Sequence, residues 1–189
     1  MTSQEKGQKV LREIERITEK HFLPIIGSEK GKILADVVKK YKPRGILEIG
    51  ALVGYSAITM AMNLPKSSRI VSIELRENAA EIARENIEEA GFEDRIEVRV
   101  GDAKEVIPKL KAEKQKFDLI FIDAVKEEYL TYLKLLEPMI EKGGIVVADN
   151  AGVFAEAMED YLDYVRNSGK YNSEFLPVDA DAFEVSVKT

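Results

Sequence analysis

The stretch GILEIGALVGYS, residues 45–56, decides the fold. Its first five residues, Gly45 to Ile49, form a short apolar run of the kind that makes a strand buried on both faces. Gly50 and Gly54 follow, and from Ser56 to Asn63 the pattern turns helical. A strand that passes through glycines straight into a helix is the opening of a βα unit. Strand-length runs recur at Arg69 to Ile73 (RIVSI), Arg95 to Val100 (RIEVRV), Phe117 to Ile122 (FDLIFI) and Gly144 to Ala148 (GIVVA). Between them lie a helix over Asn78 to Ala90 closed by Gly91, a short turn around Glu105 to Lys114, and a helix over Lys126 to Ile140 closed by Gly143 and Gly144. The expected architecture is α/β: a Rossmann-like, doubly wound, mostly parallel sheet with helices on both faces.

The flanks complete it. Beyond Asn150 a helix at about Ala155 to Asn167 precedes two runs, Ser173 to Val178 and Phe183 to Lys188, separated by DADA. They read as an antiparallel hairpin at the sheet edge, which makes seven strands. Upstream, Gln8 to His21 places Val10, Leu11, Ile14 and Ile17 on one face. Ser28 is the expected N-cap of a second helix carrying Ile33, Leu34, Val37 and Val38. No repeat, linker or low-complexity segment divides the chain. Residues 1–189 therefore read as one domain: cover helices over 1–42, the core over 43–150, and a C-terminal helix and hairpin over 151–189.

Composition narrows the chemistry. Of 189 residues 45% are hydrophobic, which excludes disorder, and no run reaches the roughly 18 apolar residues of a membrane span. The absence of Cys excludes a disulfide scaffold, a thiol nucleophile and a thiolate metal site, and the single residue His21 leaves no imidazole cluster. Any metal here should be oxygen-bound. A net charge of −6 gives no electrostatic footprint for nucleic acid. The first 20 residues are too charged for a secretory signal, so a cytoplasmic location is expected. Three Gln against 33% charged residues lean towards a thermophile's surface.

In open parallel sheets ligands bind beyond the carboxyl ends of the strands. Those ends are acidic here: Glu48, Glu74, Asp102, Asp123 and the pair Asp149-Asn150. The turn with Gly50 and Gly54 lets backbone N–H groups approach a ligand at a helix N-terminus. Glu74 follows Gly54 by 20 positions at the next strand end, where a carboxylate commonly takes ribose hydroxyls; the competing reading is an acid at a helix start. The turn lacks the G-x-G-x-x-G triplet, and no second mononucleotide half is present. S-adenosylmethionine fits better than a dinucleotide. If the strands ending at Asp123 and Asp149 are neighbours, about 4.8 Å apart, two carboxylates and the Asn150 amide converge into a hard oxygen site suited to Mg²⁺. The competing reading makes each a helix cap. Lys126 would stand beside that site, and a nearby metal ion favours a neutral amine able to act as a general base. The aromatic residues Tyr161, Tyr164, Tyr171 and Phe175 read as packing.

Four stretches together resemble the cation-dependent O-methyltransferases, the family that includes catechol O-methyltransferase: IIGSEKGKIL (25–34), LEIGALVGYSA (47–57), VGDAKEVIPKL (100–110), and FIDAVKEEY (121–129) with VVADN (146–150). The resemblance implies that Ile26, Gly50 and Ser56 surround the methionyl end of S-adenosylmethionine, that Glu74 holds its ribose, and that Leu75, Asp102 and Ala103 frame its adenine. Glu48, Gly54 and Asp123 complete that set. It further implies metal ligation by Asp123, Asp149 and Asn150, and catalysis by Lys126. Val125 stands where the catechol enzyme has Trp, and the acid that holds the second catechol hydroxyl there falls locally on Pro177, Val178 and Asp179. The expectation is methyl transfer to a small acceptor carrying vicinal hydroxyls, by a chain that can form a homodimer and has no membrane partner. Two alternatives are a methyltransferase of a hydroxylated RNA base and a cofactor-binding module without catalysis.

Overall fold

The computed structural model describes residues 1–189. Helices α1 (Ser3–Thr18) and α2 (Gly27–Tyr41) lead into an alternating series: β1 (Gly45–Ile49), α3 (Tyr55–Met62), β2 (Arg69–Glu74), α4 (Glu77–Ala90), β3 (Ile96–Val100), α5 (Ala103–Ala112) and β4 (Phe117–Ile122). Then come α6 (Tyr129–Leu136), β5 (Ile140–Ala148), α7 (Glu159–Asn167), β6 (Tyr171–Val178) and β7 (Asp181–Lys188). One seven-stranded sheet holds them in the order β3-β2-β1-β4-β5-β7-β6. The first five strands pair in parallel; β7 runs antiparallel beside β5, and β6 is the edge. This is the doubly wound sheet with a C-terminal hairpin that the sequence predicts. No helix is long and apolar enough to cross a membrane.

Both faces are covered, because successive strand residues point opposite ways. Ile46, Leu119 and Phe121 join α1 to α4 in a cluster of 27 buried residues, while Leu47, Ile120 and Ile122 join α5 to α7 in one of 26, so neither face of the sheet is left to solvent. That two-sided burial explains why the central strands lack polar alternation. Burying the side chain of one such residue contributes roughly 1.5–3 kcal/mol.

Several boundaries differ from the sequence expectation, each for a local reason. Helix α1 begins at Ser3, well before Gln8, because Thr2 and Glu5 form a reciprocal capping box: Glu5 N donates to Thr2 Oγ1 at 3.2 Å, and Thr2 N donates to Glu5 Oε2 at 2.7 Å. Ile17, expected on the buried face, is 42% exposed. Ser28 does not cap α2; Ile26 holds that position and makes no side-chain cap bond. The turn expected near Glu105 is helix α5, capped by Asp102, whose side chain accepts from Lys104 N. The helix expected over Lys126 to Ile140 breaks into two short 3-10 turns around α6, the second containing Pro138, which cannot donate a helical hydrogen bond. Gly143 and Gly144 do not end it. They lie inside β5, where pairing advances two residues on β4 (Phe117 to Leu119) but five on β5 (Ile140 to Ile145), a bulge that Gly143 permits at φ +85°. Helix α7 starts four residues later than expected, at Glu159 rather than Ala155, after a run of turns. Phe175 is 46% exposed, whereas Tyr161 and Tyr171 are core.

Strands β1 and β4 are adjacent, while β2 and β3 lie on one side and β5 on the other. Their carboxyl ends are thus the topological switch point where a crevice opens. The two exits approach so closely that Gly50, at φ +103°, has no room for a side chain: a Cβ there would lie 1.9 Å from the Asp123 carbonyl oxygen. Gly50→Ala should therefore destabilise the protein by about 2 to 5 kcal/mol, the sum of a left-handed backbone and a backbone clash. Urea denaturation of parent and variant measures it, and an unchanged midpoint would mean the two exits can separate.

Candidate active site

A cavity of about 690 Å³ opens at this switch point, a size that suits a small ligand. Ile26, Gly50, Glu74, Asp102, Asp123 and Lys126 line it, and Leu75, Ala103, Asp149 and Asn150 share the wall. Residues chosen from six separate sequence stretches thus meet in one place. Glu48, Gly54 and Ser56 stand behind the wall. Glu48 is fully buried and accepts hydrogen bonds from the Ser56 and Ser72 hydroxyls, while Gly54 packs closely on Ala83 and Ile87 of α4.

Glu74 closes β2 and turns back onto the glycine-rich turn. Its Oε2 accepts Leu52 N at 2.8 Å and its Oε1 accepts Arg76 N at 3.1 Å. It does not cap α4, whose cap position is Arg76. The carboxylate is consequently pinned at the cavity wall by backbone donors; Oε1 also accepts Arg76 Nε at 3.4 Å, whereas Oε2, with Leu52 N alone, has room for a further donor. Leu52 adopts φ +48° to present its N–H to Glu74.

The parallel pairing of Ile122 with Ala148, extended by Asp149 N donating to Ile122 O at 2.9 Å, places Asp123 and Asp149 side by side. Neither is a helix cap: the cap positions of the helical segments that follow are Val125, Glu128 and Met158, none with a side-chain cap bond. Asn150 takes φ +62°, a left-handed conformation that Asn tolerates. Each of the three side chains keeps one oxygen clear of protein donors. Asp123 uses Oδ1 for Lys126 Nζ at 2.9 Å, and Asp149 uses Oδ1 for Lys30 Nζ at 2.6 Å and for Asn150 N at 2.7 Å. Asn150 gives its Nδ2 to Asp181 Oδ2 at 2.7 Å, which leaves Oδ1. No three carboxylates, imidazoles or thiols are gathered anywhere in the fold, so any cation here needs the carboxamide. Two carboxylate oxygens and one amide oxygen, with no nitrogen or sulfur donor, fit a hard divalent ion that completes its shell with oxygens from elsewhere.

The electrostatics follow from burial. Asp149 is pushed up to about 6 by desolvation and by the neighbouring Asp123 charge, against the Lys30 ammonium. Burial works against the Lys30 ammonium too, but its bonds to Asp149 and Asp181 outweigh that and raise it. Lys126 Nζ also meets Tyr129 Oη at 2.9 Å, which together with Asp123 holds the amine at the cavity wall.

Four residues at the site carry no signal that sequence reasoning used. Lys30 sits in the stretch IIGSEKGKIL, with no periodic or motif cue to a role. Asp181 belongs to DADA, read as a turn. Phe22 and Phe154 line the cavity mouth with Val125, exposed by 94%, 50% and 50% respectively. An apolar, partly aromatic wall therefore exists without tryptophan.

Comparison with known proteins bears on these contents. A family model described as O-methyltransferase matches residues 1–174. The chain is 40% identical over 152 residues to catechol O-methyltransferase B of Danio rerio, covering 78% of this chain and 57% of that protein. It is 34% identical over 169 residues to catechol O-methyltransferase of Mus musculus, covering 87% and 63%. The chain thus spans about three fifths of the length of these two relatives. Among solved structures, the O-methyltransferase from Bacillus cereus in complex with SAH superposes with a TM-score of 0.86 at 29% identity, covering 96% of this chain and 91% of that one.

Glu48 yields a stability prediction. Desolvation raises its carboxyl from the usual 4.5 to about 7, although the two serine hydroxyls favour the charged form. The folded state therefore holds a proton that the unfolded chain releases between these values, so stability falls as pH rises through that window, by roughly 3 kcal/mol in all. Glu48→Gln should remove that decline. Urea titrations from pH 4.5 to 7.5 test it, and parallel curves for parent and variant would show that Glu48 is charged throughout.

Proposed function

This chain belongs to the O-methyltransferase family, and we propose that it transfers a methyl group from S-adenosylmethionine to a hydroxyl oxygen of a small acceptor with vicinal hydroxyls, using a divalent cation, Mg²⁺ by its donor set. The observation that carries this reading is the convergence of Asp123, Asp149 and Asn150, each with an uncommitted oxygen, in the same cavity as Glu74 and Lys126. The bound cofactor supplies an electrophilic methyl, and the cation supplies positive charge that favours the ionised hydroxyl.

The chain's own residues do the rest. Glu74 binds the ribose hydroxyls with a carboxylate already fixed by Leu52 and Arg76 N–H groups. Asp102 and Ala103, at the start of α5, and Leu75 flank the base. Ile26 and Gly50 bound the methionyl end. Asp123, Asp149 and Asn150 hold the cation. Lys126 Nζ accepts the hydroxyl proton from a position tethered by Asp123 and Tyr129. Phe22, Val125 and Phe154 offer an apolar wall to a planar ring and exclude water. Because little charge develops on the transferred methyl, alignment of the two reactants accounts for much of the acceleration.

Three measurements test the reading. Glu74→Gln should weaken S-adenosylhomocysteine binding, followed by calorimetry without metal, by about 1.5 to 3 kcal/mol, the range for hydrogen bonds to charged groups. Equal affinity would remove Glu74 from the ribose. EDTA should abolish methyl transfer to a panel of vicinal hydroxyl compounds while leaving that binding intact, and Mg²⁺ should restore turnover. Full activity in the chelator would exclude the cation. On the best acceptor, Lys126→Ala should lower kcat by about 10² to 10⁴ with little change in cofactor affinity. A drop of under tenfold would place the proton elsewhere.

A further inference from the structure

Behind the three proposed metal ligands lies a further acid, Asp181, the first residue of β7. It does not line the cavity, and its bonding is already full. Oδ1 accepts Gly152 N at 3.1 Å and Val153 N at 2.9 Å, while Oδ2 accepts Asn150 Nδ2 at 2.7 Å and the Lys30 ammonium. A carboxylate offers about four lone-pair positions. All are committed, so Asp181 is no ligand itself.

What it does is decide which end of the Asn150 carboxamide faces the cavity. A carboxamide is a donor at one end and an acceptor at the other, and the two ends are nearly equal in shape. Packing alone cannot choose between them. An ionised carboxylate can, since it accepts and never donates: it demands the Nδ2 end and thereby turns Oδ1 outward. The same oxygen of Asp181 holds Lys30, whose Nζ occupies Asp149 Oδ1 at 2.6 Å and leaves Oδ2 for the cavity. Asp181 thus reaches two of the three ligands from one atom. It also fastens the turn after Asn150 through two backbone N–H groups.

We propose that Asp181 is a positioning residue for the cation site, which forces Asn150 to present oxygen rather than nitrogen. This rests on the cation reading above. Loss of an outer partner of this kind typically costs about 10- to 100-fold in metal affinity.

The test is an exchange of partners, read as Mn²⁺ binding to cofactor-free protein by electron paramagnetic resonance, with no turnover involved. Asp181→Asn keeps an oxygen for Gly152 and Val153 but sets an amide donor against the Asn150 amide, so Asn150 turns its nitrogen to the cavity. Affinity should fall about 10- to 100-fold. Asn150→Asp has two acceptor oxygens and no preferred end. Placing Asp181→Asn in that background should cost less than about threefold, because the introduced amide now donates to a carboxylate, and the difference between backgrounds is the coupling that defines orientation. An equal loss in both backgrounds would mean that Asp181 acts through the turn or Lys30 and does not orient Asn150, and no loss in either would mean that it serves nothing at the site; both overturn the proposal. Parent protein that fails to bind Mn²⁺ saturably would overturn the cation reading as well, and so is distinguishable from failure of Asp181 alone. Thermal unfolding of all four proteins separates a folding defect from a loss of orientation.

Discussion

Two like charges held side by side set the terms for everything around them. The hydrogen-bonded ladder between β4 and β5 fixes Ile122 against Ala148, and the next residue on each strand is an aspartate. Backbone pairing does not consult side-chain charge, so Asp123 and Asp149 must share a partly desolvated mouth. Each is answered by one lysine on a different element. Lys126 comes from the turn after β4 and Lys30 from α2. Two ammonium groups steady the pair while leaving one oxygen of each carboxylate free, which is also what a divalent ion would require.

That need for compensation explains the placement of the N-terminal helices. Helices α1 and α2 cover the sheet face formed with α3 and α4, a packing role that any amphipathic pair could fill. Yet α2 also sends Lys30 across to Asp149 and Asp181, more than a hundred residues later in the chain. The segment joining α1 to α2 adds Phe22 and Ile26 to the cavity wall. A cover for the core is therefore part of the site, and the C-terminal hairpin, through Asp181, supports the same mouth from the other side. The cavity is bounded by the first fifth of the chain and by residues from its middle as far as Phe154, with the end of the chain behind the wall.

A second buried acid follows a different rule. Glu48 has no lysine partner and is served only by two hydroxyls, so desolvation lifts it to about 7. At Asp149 the Lys30 ammonium opposes desolvation, yet burial and the Asp123 charge still lift the carboxyl to about 6, whereas Glu48 in the interior is met by hydroxyl donors alone.

Alternating apolar runs and glycine turns determined the strands, their mostly parallel direction and the acidic strand ends, because period and turn chemistry are local properties that a linear chain displays; the order of the strands came from the fold. Glu74, Asp102, Asp123, Lys126, Asp149 and Asn150 were legible for that reason: each sits a fixed step beyond a recognisable strand. The capping box at Thr2 and Glu5 is equally local, but it lies ahead of the apolar face, which begins only at Val10. Tertiary structure alone decided what depended on elements distant in sequence. The bulge in β5 arises from pairing with β4, and Phe22 and Phe154 reach the mouth because the loops carrying them converge there. Lys30 and Asp181 look like a surface lysine and a turn acid until folding brings them together behind Asp149 and Asn150. A hydrogen bond's partner is chosen by three-dimensional proximity, and no periodicity in the chain records it.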